Sequence, residues 1–288
     1  MKTTVQTLSH PTLGSHMRAL WMITQKDWTQ YWRYPLNVVG QVMSPLIFLA
    51  PVYFMGQAFS INGQAQGFAG YAGTTDYISF ILIGSVLNNF IMTVFWGIGY
   101  ALKNDMDSGM LESNWLMPVP RPLLLIGRTF SSLLITAVTS LAMLVIAALA
   151  FGFRPTGSAL AALVPVVPVV PLLVGLYGFG MAFAAIVLLM RDANTLVDIS
   201  SYLVGLFSGS QFPVQALPWF LLPISLALPL TYGFDAVRGI LLNTKTILPV
   251  PVEIGLLVLF MGVMIWLGLR VFTHMERVVR SKGTLGQH

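Results

Sequence analysis

Few side chains in this sequence could do chemistry, and their spacing narrows what that chemistry would be. The 288 residues include ten Asp or Glu, fifteen Lys or Arg, four His and no Cys. His10, His16, His274 and His288 lie in polar tails or at the end of an apolar run. There is no HExxH zinc motif, no DxxD cluster, no pair of carboxylates at close spacing and no serine elbow. Without cysteine there is neither a disulfide framework nor a thiolate metal site. Gly63, Gly67, Gly70 and Gly73 lie in a nearly uncharged stretch, 59–76, that could be mistaken for a phosphate loop. No strand pattern precedes it and no Gly-Lys-Ser/Thr follows, so it reads as a short loop. No GxxxxGK[ST] occurs, so the chain is not expected to be an ATP-hydrolysing enzyme, nor to bind a cofactor or metal. Asp76, Asp198 and Glu253 fall near the ends of apolar segments, whereas ion-coupled carriers bury such groups mid-span. Tyr232, Asp235 and Arg238 share one helix face, and Asp235 and Arg238 form an i, i+3 pair. That pair is either a latch or a surface ion pair on a return helix.

The elements that would position these residues belong in a membrane. Charged residues are 9% of the chain and hydrophobic ones 56%. A soluble domain carries about 25% charged residues. Each membrane span takes about 20 apolar residues. The net charge of +5 is dispersed, which argues against a nucleic-acid surface. Residues 1–17 read as a polar tail without a signal-peptide core. Residues 18–35 form an amphipathic helix with Trp21, Trp28 and Trp32 in one stripe and Lys26, Gln30 and Arg33 opposite. Such a helix lies in the interface, and Pro35 ends it.

Six spans fit within 36–273, at 38–58, 77–102, 129–150, 172–190, 194–211 and 253–272. Pro45 and Pro51 kink the first, and Pro165, Pro168 and Pro171 make an irregular entry to the fourth. Gly205 and Gly209 form a GxxxG pair in the fifth, a spacing that permits close helix packing. The stretch 212–238 is apolar but broken by Pro213, Pro218, Pro223 and Pro229. Proline removes a helix hydrogen bond, and freed backbone groups survive in lipid only where protein satisfies them. A re-entrant segment is therefore expected before the last span. With both termini inside, twelve of the fifteen Lys and Arg are cytosolic, including the basic tail 274–288. Arg154, Arg238 and Lys245 fall outside, an asymmetry that follows the positive-inside rule. Tyr53, Asn88, Asn89 and Phe207 are candidates to line a pathway, although mid-span amides usually serve helix packing.

Three features, together with the six spans, resemble the ABC-2 type permeases, the membrane subunits of one class of ABC exporter. One is the Phe-Pro, Leu-Pro, Leu-Pro-Leu-Thr-Tyr and Asp-Ala-Val-Arg wording of 212–238. A second is the loop 103–121, where Asp-Ser-Gly-Met-Leu-Glu precedes a Pro-x-x-Arg-Pro turn. The third is the amphipathic lead-in. The resemblance implies that 103–121 is a cytosolic coupling loop. Asp105, Asp107, Met110, Leu111, Glu112 and Trp115 would there dock on an ATPase. It implies two P-loop ABC ATPase subunits holding ATP and Mg, and a second permease copy as homodimer or heterodimer. It places the chain in a bacterial or archaeal plasma membrane. The re-entrant segment would form an outer gate, with Phe212, Pro213, Tyr232, Asp235 and Arg238. The wording is closer to the daunorubicin-type, drug- and lipid-exporting branch than to the polysaccharide-exporting branch. A stand-alone ion-coupled transporter or channel is the alternative, and a lipid-processing membrane enzyme a third.

Overall fold

The computed structural model describes residues 13–59, 65–107, 121–151, 164–187 and 194–282. Among these every regular element is helical. The helices are α1 (Leu13–Trp32), α2 (Pro35–Phe59), α3 (Gln66–Ala72), α4 (Tyr77–Asp107) and α5 (Arg121–Phe151). They continue with α6 (Val166–Val187), α7 (Asn194–Phe207), α8 (Leu222–Ala227), α9 (Pro229–Leu242) and α10 (Val250–Lys282).

Five helical stretches are long and apolar enough to cross a membrane: Pro35–Ala58, Tyr77–Phe95, Leu125–Ala150, Val166–Phe183 and Val250–His274. Of the stretch expected as a fifth of six spans, the described residues hold α7, with 14 residues, and the turn that follows it. Its GxxxG reading changes. Gly209 lies beyond the helix in a left-handed turn at φ 73°, and a Cβ on Gly205 would meet nothing within 4 Å. The irregular entry expected across 159–171 is helical from Val166, with Pro171 inside. Pro168 is tolerated because it falls in the first turn, where backbone N–H groups have no helical partner.

A close backbone-to-backbone helix contact lies elsewhere. A Cβ on Gly268 of α10 would fall 2.1 Å from the Gly178 carbonyl oxygen of α6, and one on Gly178 would fall 2.5 Å from Met264. Lipid tails are as apolar as leucine, so tight packing of small residues is what favours such a pairing.

α4 is the hub. Leu87, Ile91 and Phe95 pack with Leu172 and Leu176 of α6, Phe234 of α9 and Leu257 of α10. A turn or two earlier, Phe80 and Leu82 pack with Val42 and Leu46 of α2 and Met143 of α5. Outward-facing residues such as Leu141, Leu149, Leu259 and Trp266 are apolar and exposed, as lipid requires. α1 lies along α5, where Leu20 and Ile23 meet Gly127 and Ser131 Oγ donates to the Thr24 carbonyl at 3.4 Å. Trp21 and Trp32 of α1 are exposed. Asp27 is half-buried there; burial pushes its carboxyl above the ordinary range while Lys26 and Arg128 pull it back.

Candidate functional site

The corner formed by 208–253 concentrates the buried polar groups. Each of its four prolines marks a break. Pro213 precedes the short 3-10 turn Val214–Ala216, and Pro218 lies in the bend before α8. Pro223 and Pro229 sit in the first turns of α8 and α9. A first-turn proline sacrifices no helical hydrogen bond.

α7 ends inside the protein, so its last carbonyls need donors where water is scarce. Side chains supply them. Ser210 Oγ donates to the Gly205 carbonyl at 3.0 Å, and Ser225 Oγ of α8 donates to the Phe207 carbonyl at 2.5 Å. Arg238 of α9 serves the turn that follows α7 and one carbonyl of α4. Nη1 donates to the Gly209 carbonyl at 2.7 Å, Nη2 to Ser210 at 2.5 Å and Nε to Phe80 of α4 at 3.2 Å. Its guanidinium lies 3.6 Å from the centroid of the Phe80 ring. Positive charge at a helix C-terminus opposes the negative end of the macrodipole. Gly84 makes the approach possible: a Cβ there would fall 1.9 Å from the Ser210 oxygen and 2.1 Å from Arg238 Nη2.

Arg238 is 3% exposed, so it is not half of a surface ion pair. A guanidinium fits because its planar fork reaches several carbonyls at once. Asp235, though it feels the Arg238 charge, directs Oδ2 to the Ile247 N–H at 2.5 Å. Burial pushes its carboxyl above the ordinary range, against that hydrogen bond, Glu253 and Arg238. Tyr232 Oη donates to the Leu226 carbonyl at 2.8 Å, tying α9 to α8. Pro213 is buried and Phe212 half-buried. The expected gate residues thus gather in one region, but as a hydrogen-bonded knot.

Glu253, which the sequence places at a span end, is fully enclosed at 0% exposure. It lies in hydrogen-bonding contact with Asp235. Sequence reasoning sought carboxylates close in sequence and so missed this pair; a lone Glu opening an apolar run was the available signal. Asp198, also at a span end in the sequence, is half-buried in α7.

The proposed pathway residues sit on three helices. On α2 the Tyr53 carbonyl accepts from Tyr77 Oη at 3.0 Å. On α4 the Asn89 carbonyl accepts from Thr93 Oγ1, while Asn88 Oδ1 is buried without a partner among the described residues. Phe207 ends α7, its carbonyl held by Ser225. Asp105 and Asp107 close α4, their side chains outside the described residues. Met110, Leu111, Glu112 and Trp115 lie outside the described residues altogether.

Residues 18–242 match the ABC-2 type transporter family. The chain belongs to that family. It is also 23% identical over 246 residues, 83% of this chain and 82% of the relative, to a probable doxorubicin resistance ABC transporter permease protein DrrC of Mycobacterium tuberculosis. The same match recurs in a second strain of that organism. An ABC-2 permease is the membrane subunit of an ABC transporter and works with ATP-binding ABC subunits. This ABC-2 permease is therefore a multi-pass membrane protein, and its apolar helices fit that role.

Proposed function

We propose that this permease moves a hydrophobic or amphipathic small molecule, or a lipid, outward across a bacterial or archaeal plasma membrane. ATP hydrolysis on separate subunits would power it. The observation that carries this reading is the doxorubicin-resistance permease, similar along most of both chains. The apolar helices, with few amides along them, suit such a cargo.

In this reading two P-loop ABC ATPases hold ATP and Mg, and a second permease copy or a related permease completes the membrane domain. Both termini are cytosolic. The loop 103–121 docks on the ATPase through an apolar face with Met110, Leu111 and Trp115, rimmed by Asp105, Asp107 and Glu112. Closing of the ATPases moves this loop, and the packing between permease halves is the two-state element. Tyr53, Asn88, Asn89 and Phe207 line the route. The segment 212–238 dips into the membrane from outside and gates the exit.

The test is purification from native membranes in mild detergent, followed by transport in proteoliposomes. A stoichiometric P-loop ATPase and ATP-dependent movement of doxorubicin, a fluorescent amphipathic probe, are expected. A preparation without an ATPase that works on an ion gradient alone overturns the reading. Glu112→Lys is expected to uncouple ATP hydrolysis from transport while leaving the chain inserted. Unchanged coupling in that variant removes the docking role from the loop.

A further inference from the structure

Asp235 of α9 and Glu253 of α10 bring two carboxyl groups into hydrogen-bonding contact. Glu253 Oε1 accepts from the Leu248 N–H at 3.2 Å. Its Oε2 is buried and meets no donor among the described residues. Asp235 Oδ2 accepts from the Ile247 N–H. An ionised carboxylate can only accept hydrogen bonds. Two ionised carboxylates in contact cannot bond each other, and enclosure makes charging both costly. A single proton between them supplies the missing donor and removes one charge.

We propose that Asp235 and Glu253 form a one-proton binding site that locks the segment 243–249 across the junction of α9 and α10. The amides of Ile247 and Leu248 are held by the two acids. The Lys245 N–H donates to the Ala72 carbonyl at 3.1 Å, so the lock reaches α3 and its left-handed cap Gly73. With the proton lost, two like charges face each other and the segment is released.

The surrounding charges do not replace the proton. Arg238 acts on Asp235 electrostatically but gives its N–H groups to backbone carbonyls. Lys245 is exposed. α6, which packs on α9 and α10, carries Tyr177 as its one titratable residue. α4 brings Tyr77, whose hydroxyl is bonded to the Tyr53 carbonyl, and Asp76 just before it accepts from Ser79.

The locked state holds one proton more than the released state, whose acids ionise at ordinary carboxylate values. The lock is therefore complete in acid and weakens as pH rises through the titration of the pair.

The test uses the full-length chain in lipid nanodiscs, with two readouts. Infrared spectroscopy at neutral pH is expected to show the carbonyl stretch of a protonated carboxyl. Hydrogen exchange of 243–249, corrected for its intrinsic pH dependence, is expected to rise about tenfold per pH unit until the pair titrates. In Asp235→Asn or Glu253→Gln the amide N–H takes the place of the proton. Each variant should lose the carboxyl signal and make exchange of the segment independent of pH. The proposal is overturned by a wild-type protein with no protonated carboxyl, by wild-type exchange that ignores pH, or by a signal that survives either variant. Should a variant fail to fold, the two wild-type readouts decide.

Discussion

Two polar regions among the described residues are built on different terms. At the 208–253 corner, a buried guanidinium is met by three carbonyls and an aromatic face. In the seam between α4 and α5 the groups are neutral and the satisfaction incomplete. Thr93 Oγ1 and Thr136 Oγ1 share a hydrogen bond of 2.8 Å. Asn88 Oδ1 and Ser140 Oγ are buried without a partner among the described residues. The difference follows from energy. A buried charge without partners costs several kcal/mol, so the fold must satisfy it outright. A neutral group left unpaired costs about 1–3 kcal/mol, which a helix pair can bear. The corner thus holds its guanidinium outright, although Ser208 Oγ, Thr244 Oγ1 and Glu253 Oε2 there are also buried without a partner among the described residues; the seam holds only neutral groups, with hydrogen-bonding capacity that a passing molecule could use.

Breaking the corner should have the largest effect. Arg238→Ala strands three carbonyls and is expected to cost about 3–5 kcal/mol. The loss would appear as a lower melting temperature and aggregation in detergent; a melting curve like wild type would mean the knot is not structural. Arg238→Lys restores charge without the planar fork and should fall between. Gly84→Ala pushes a methyl group toward the Ser210 carbonyl and should cost about 1–3 kcal/mol. Gly97→Ala on the same helix meets nothing within 4 Å. It should be neutral or stabilising by up to about 1 kcal/mol, and equal melting shifts for the two would discard the steric argument. In the seam, Asn88→Leu should change stability by about 1 kcal/mol or less. ATP-driven export should nevertheless fall, and unchanged export would remove Asn88 from the pathway. Thr93→Val should be smallest, about 0.6 kcal/mol, the average for interhelical hydrogen bonds in membranes. A larger loss would mean that the seam is as tightly coupled as the corner.

Much of the fold was legible because lipid is a demanding solvent. Long apolar runs had to become helices, and α2, α4, α5 and α10 follow the expected stretches closely. The broken stretch was legible through its prolines, each of which falls at a break or in a first turn. Other features depended on packing rather than on local pattern. Ser208–Gly209 ends α7 early because Gly209 takes a left-handed turn, which no hydropathy window records. Gly205 and Gly209 had motif spacing, yet two helix backbones meet closely at Gly178 and Gly268, ninety residues apart in the chain.

The sequence by itself determined a helical membrane protein, its family resemblance and the place where its helices break. Periodicity, hydropathy and proline are local properties, and local properties suffice for those conclusions. Only the tertiary structure decided what the charged residues do. Arg238 and Asp235 looked like partners because they are three residues apart. Arg238 instead binds the turn after α7 and Asp235 meets Glu253, because a buried polar group must take the donors and acceptors that packing brings within reach. Those neighbours come from other helices, and sequence spacing does not contain them.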